Sequence, residues 1–316
     1  MMTAMRWCLA ALLAIGCGRI EFDEHPVDAA VLDAPEAACP DGYVFVRGDA
    51  TLGTTDFCAM KYEARARGDN DIIFEEGCVV VPVDDCEPNG LVLSRFRAVS
   101  VPSGKPWRGI DALSAFAACQ QLGAGYTLMT NPEWMTIARA AERTAANWSG
   151  GAPYLGRLVE GNSDGTPVLG ITDPDDPYSD TGNSANDPPD AGWEQRRTIV
   201  LPNGDTLWDT AAHLQEWIDW TYDPTDYVGA PPCSGGELPA LACAGYTRDD
   251  YDSASGTLDS SDGAGLVIGG AGTTARRGGQ LADKQGRYAG IYALNMNRFT
   301  DQTFPATGFR CVYRLP

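Results

Sequence analysis

The sequence predicts a loop-rich α+β domain braced by disulfides. Three observations lead there. Two stretches carry apolar residues at helical spacing, and several short runs rich in Val, Phe and Tyr read as strands. Long Asp/Pro/Gly/Asn-rich stretches separate these elements. The chain also holds 10 cysteines, and beyond an export-type leader and Cys17 an even set of them lies in the folded part.

Taken in order, residues 1–16 form a short leader. Arg6 supplies positive charge and residues 7–15 an apolar run too short to span a bilayer. Ala14-Ile15-Gly16-Cys17 resembles a bacterial lipobox. The expectation is therefore a protein lipidated at Cys17 and anchored in the cell envelope, at the outer membrane or facing the periplasm. Residues 17–38 are acidic and rich in Ala and Pro, the composition of a tether. Residues 39–316 form one domain.

Within that domain, residues 43–47 and 57–62 read as strands. Residues 110–122 read as a helix with Ile110, Leu113, Phe116, Ala117 and Leu122 on one face. A second helix opens at Asn131-Pro132-Glu133, with Asn131 expected as N-cap, and buries Trp134, Ile137, Ala138 and Ala141. Residues 162–192 and 222–279 read as irregular. No internal repeat is present.

The net charge of −20, from 43 acidic and 23 basic residues, repels phosphate backbones, and no basic stripe interleaves with aromatics. Nucleic acid is not an expected partner. There is no CxxC pair, and His25 and His213 are the 2 histidines. That argues against a Cys/His zinc site, a haem site and a redox-active dithiol. Asn147-Trp148-Ser149 matches a glycosylation triplet, which carries little meaning in a bacterial lipoprotein. The glycine run at 269–272 lacks the strand-to-helix setting of a phosphate loop.

Five segments in order carry a resemblance: FCAMKYEA (57–64), AFAAC (115–119), YTLMTNPEWMTIA (126–138), LWDTAAHLQEW (207–217), and RGG (277–279) with GFRCV (308–312). Together they resemble the formylglycine-generating-enzyme, or sulfatase-modifying-factor, domain family, a large variant of the C-type-lectin fold. The resemblance implies two helices packed on short, twisted antiparallel sheets. It implies a disulfide between Cys119 and Cys311. Cys78/Cys86 and Cys233/Cys243 are close enough in sequence to staple loops, and Cys39/Cys58 to join strands, but the sequence leaves those pairings open.

The resemblance also implies a structural calcium site formed by Asp209, the carbonyls of Ala212 and Leu214, and Glu216. Hard carboxylate and carbonyl oxygens suit that ion. The chain departs from the family there, with Ala212 in place of Gly and His213 in place of Asn; His213 is read as a loop residue rather than a general base. A larger departure concerns chemistry. The family's oxidase needs a reactive cysteine pair that binds copper, and the matching positions fall near Tyr288 and Ala293. No cysteine lies between Cys243 and Cys311. Iron-dependent relatives need clustered histidines, which are also missing. Neither copper nor iron is expected, and the sequence argues against an enzyme.

In binding proteins of the C-type-lectin fold, the segment just before GFR faces the ligand. Here it supplies Tyr288, Tyr292, Asn295, Asn297, Arg298, Phe299, Asp301, Gln302 and Phe304, a mixture of aromatics and amides suited to recognition. The expected function is binding of a protein or glycan at the cell envelope by a catalytically inactive domain. The alternatives are a metal-dependent oxidoreductase of the superfamily with an unrecognised site, or a diversified receptor-binding protein of the same fold.

Overall fold

A computed structural model describes residues 38–68, 96–102, 106–153, 155, 158–159, 161, 197–211, 213–221, 267–268, 272–279, 290–304 and 306–316. All belong to one compact unit, Ala37–Pro316. The leader, Cys17, the tether up to residue 37 and residues 162–192 lie outside the described residues. So do Cys78, Cys86, Cys233, Cys243, Ala212 and Tyr288.

The architecture is α+β, with two α-helices and small, mainly antiparallel sheets. The first sheet joins β1 (Tyr43–Val46), β2 (Phe57–Met60), β13 (Cys311–Arg314) and β5 (Tyr126–Leu128), in that order and antiparallel throughout. Because side chains alternate across a strand, its two faces feed two cores. Val44, Val46, Phe57, Ala59 and Val312 pack into one, with Trp134, Ile137 and Trp148. Met60, Leu128 and Cys311 pack into the other, with Trp107, Trp217 and Phe309. Buried tryptophans need a partner for the indole N–H. Trp134, Trp148 and Trp217 donate to the carbonyls of Ile291, Glu142 and Ile110 at 2.6, 2.6 and 2.7 Å.

The second sheet has the order β12 (Thr307–Phe309), β8 (Gln215–Thr221), β10 (Thr274–Arg277), β11 (Leu294–Arg298), β9 (Val267–Ile268). Its central pairs are antiparallel and its two outer pairs parallel. Two hairpin-like pairs complete the set: β3 (Arg65–Gly68) with β4 (Phe96–Val99), and β6 (Thr198–Val200) with β7 (Thr206–Trp208). β9 and β10 fall inside the stretch expected to be irregular. The glycines flanking TTARR hid a short strand whose four residues, Thr274–Arg277, are all buried.

Helix α1 (Ala112–Gln120) starts after Asp111, whose carboxylate accepts from the Ser114 N–H at 2.7 Å. Its buried face is Ala112, Ala115, Ala118 and Cys119, whereas Leu113 is 60% exposed and Phe116 and Ala117 are only partly covered. Of the expected apolar face, Ile110 is buried and Phe116 and Leu122 pack partly against the core, while Leu113 faces outward. Small residues let the helix lie close to β5 and bring Cys119 to Cys311. Helix α2 (Asn131–Glu142) is capped by Thr130, not Asn131. Thr130 and Glu133 form a reciprocal capping box, with the Thr130 N–H donating to Glu133 at 2.8 Å. The expected stripe of Trp134, Ile137, Ala138 and Ala141 is buried.

Cys119 is bonded to Cys311 across 192 residues, and Cys39 to Cys58 across 19. The first ties α1 to the central strand β13; the second ties the start of the domain to β2. Asn147 of the glycosylation triplet is interior. Its amide donates to the carbonyls of Ala141 and Val200 at 2.8 Å each and its oxygen accepts from the Val200 N–H at 2.8 Å. No helix among the described residues is long and apolar enough to cross a membrane.

Candidate functional site

Two places gather the expected site residues. The first is the loop from β7 into β8, where calcium was expected. Asp209 follows β7 with φ of +53°, a left-handed conformation that Asp tolerates better than most residues. The β6–β7 register sets Arg197 opposite it. The Asp209 N–H donates to the Arg197 carbonyl at 2.7 Å, and Arg197 Nε and Nη2 donate to the two Asp209 carboxylate oxygens at 2.8 and 3.0 Å. The Arg197 guanidinium also lies 5.4 Å from the Trp208 ring centroid.

Glu216, on β8, is held in the same way by Arg310, whose Nη2 donates at 2.9 Å. Arg310 also donates to the carbonyls of Met60 and Trp208, at 2.7 Å each. Glu63 completes the group: its carboxylate lies 3.0 Å from His213 Nδ1 and accepts from the Leu214 N–H at 3.3 Å. Arg65 donates to the Glu63 carbonyl at 2.8 Å. All these side chains are buried. Burial pushes the Glu216 carboxyl up to about 7; the Arg310 charge and hydrogen bond oppose the rise, and neighbouring Glu63 and Asp209 reinforce it.

Calcium takes 6–8 oxygen ligands. Asp209 and Glu216 do come to one loop, but both oxygens of each carboxylate already accept from a guanidinium. Among the described residues no group of three or more His, Cys, Asp or Glu side chains is disposed to hold a metal ion. The described donors therefore do not fit calcium, and Ala212 lies outside them.

The second place is β11 and the turn after it. β11 alternates as a half-covered strand should: Leu294 and Met296 point into the core, while Asn295, Asn297 and Arg298 are partly exposed. Phe299 is 43% exposed, and Asp301 and Gln302 are exposed. The turn is fixed by two bonds between the same residues. The Gln302 N–H donates to the Phe299 carbonyl at 3.1 Å, and the Phe299 N–H to Gln302 Oε1 at 3.2 Å. Phe304 then lies under two guanidiniums, with Arg298 at 4.8 Å and Arg276 at 5.3 Å from its centroid. Arg276 also faces Trp217 at 5.4 Å and donates to Thr307 Oγ1 at 3.1 Å and Asn297 Oδ1 at 2.7 Å.

Tyr292 does not join this surface. It is interior, and its hydroxyl donates to Glu142. Ala293, near one of the family's cysteine positions, is likewise buried in the turn bonded to Gly278.

The residues that sequence reasoning missed are arginines. Arg65, Arg276, Arg277 and Arg310 are among the largest fully buried side chains, and Arg197 is buried as well. Arg277 donates to Asn131 Oδ1 at 3.0 and 2.6 Å and to the Tyr292 carbonyl at 2.9 Å, and burial lowers it to about 9. The signal for some of them lay in view, since Arg276, Arg277 and Arg310 sit in or beside the RGG and GFR segments. Arg197 had no such marker. A scan against protein-family models and a search of curated proteins each find no match for this chain.

Proposed function

We propose that this chain is an exported lipoprotein whose formylglycine-generating-enzyme-like domain, built on the C-type-lectin fold, binds a protein or glycan at the cell envelope and does not oxidise cysteine. The observation that carries the reading is the surface formed by β11 and the turn at 299–304. It presents an exposed aromatic ring, a guanidinium stacked on a second ring, and side-chain amides on a turn already fixed by hydrogen bonds. A prearranged surface loses little freedom on binding, which favours recognition. Missing thiols in residues 244–310 support the same reading, because formylglycine formation needs them. Lipidation of Cys17 would place the domain at a membrane surface through the tether.

The test measures binding of the purified chain to arrayed envelope glycans and immobilised envelope proteins. Phe299→Ala and Arg298→Ala should each weaken the bound interaction by about tenfold, the scale of an interface residue that matters. Neither should lower the melting temperature appreciably, because surface changes usually stay within about 0.5 kcal/mol. Binding that survives both substitutions overturns the assignment of this surface. Copper-loaded protein incubated with a sulfatase-type cysteine peptide and oxygen should leave the thiol intact; aldehyde formation overturns the non-oxidase reading.

A further inference from the structure

We propose that Arg197, together with Arg310, takes the place of a bound cation in the loop from Asp209 to Glu216, so that this loop keeps its shape without metal. The argument begins with where Arg197 comes from. It immediately precedes β6, Asp209 immediately follows β7, and the two strands pair Thr198 with Trp208. The hairpin register thus sets the two residues opposite each other, within reach of one another's side chains. One backbone and two side-chain hydrogen bonds join the same two residues. A paired fork of this kind matches carboxylate geometry as a point charge cannot.

Charge balance gives the second line. Of three buried carboxylates, Asp209 and Glu216 are each paired with a buried guanidinium, from Arg197 and Arg310, and Glu63 lies 3.0 Å from His213 Nδ1. Glu63 and Asp209 are near enough to act on Glu216 electrostatically, so the group is one neighbourhood. A divalent cation added to it would bring two further positive charges beside Asp209 and Glu216, whose charges two guanidiniums already meet, and uncompensated buried charge is strongly unfavourable. Displacing Arg197 to make room would strand its guanidinium in the same interior. Loop geometry gives the third line. The Leu214 N–H is tied to Glu63 and the Gln215 N–H to the Ala306 carbonyl at 3.0 Å, so protein groups hold the backbone that a metal would otherwise organise.

Thermal unfolding of the purified chain in millimolar calcium and in chelator is the test. Wild type should melt at the same temperature in both, within about 1 °C. Arg197→Ser should melt several degrees lower in chelator, roughly 4 °C or more, and calcium should restore part of that loss. A calcium-dependent rise in wild type that disappears in Asp209→Asn overturns the proposal. A rise of equal size in both proteins comes from another site and upholds it. If Arg197→Ser yields no folded protein, Arg197→Lys decides: calcium indifference upholds the proposal, and stabilisation by calcium overturns it.

Discussion

At the residue scale, the positions that define this domain are buried ones whose neighbours leave no room for a larger or differently bonded side chain. Gly278 is an instance. Its φ is +87°, and a Cβ there would lie 2.9 Å from the Thr210 carbonyl oxygen and 3.5 Å from the Trp134 ring. Gly278→Ala should therefore destabilise by at least about 1 kcal/mol, from the left-handed backbone alone. Chemical denaturation with an unchanged m-value would check it. Arg277, one residue earlier, sits inside the same β10–α2 contact through Asn131. None of this was visible from composition, which places arginine on surfaces. Long guanidinium side chains reach partners far away in sequence, Arg310 to Met60 and Arg277 to Asn131. Pattern reading along one segment does not see such pairs.

At the scale of elements, α2 offers a direct comparison of two readings of one helix start. If Thr130 is the cap, Thr130→Ala should cost about 1 kcal/mol. Asn131→Ala removes no cap and instead takes one of its acceptors from the buried Arg277 guanidinium, which should cost more, on the order of 1–3 kcal/mol. Equal and small losses in the two variants, by thermal or urea unfolding, would contradict the assignment. The stripe of α2 was legible because Trp134, Ile137, Ala138 and Ala141 recur at helical spacing. The face of α1 was not, since Leu113 and Phe116 outrank Ala115 and Ala118 in hydrophobicity, yet close approach to β5 favours the small residues. Strands β1 and β2 announced themselves through Val, Phe and Tyr. β10 did not, because two of its residues are arginines between glycines. At the candidate sites, Asp209, Glu216 and the residues after 294 were recognisable one by one. What each one touches was set by β6–β7 and β10, whose registers are tertiary facts.

At the scale of the whole molecule, the bond between Cys119 and Cys311 closes a loop of 192 residues. Replacing both cysteines by alanine should lower unfolding stability by about 2–5 kcal/mol, the range for a native disulfide in a secreted domain. Equilibrium unfolding of the double variant beside wild type measures it. A loss well below that range would indicate that residual structure already confines the denatured chain.

The position of β13 has a consequence for how the chain matures. That strand lies between β2 and β5, so the β1–β2 pair and β5 are not joined into one sheet until it arrives. It also brings Cys311 to Cys119, and Arg310, just ahead of it, to Glu216. A nascent chain that has emerged only as far as residue 300 would hold two unpaired sheet edges, an open thiol and a buried-type carboxylate with no counter-charge. Such a species is open to aggregation and to mispaired cysteines. Completion of the first sheet therefore waits for the segment beyond residue 309. The interval before that point is when a holding chaperone and a thiol oxidase would matter most.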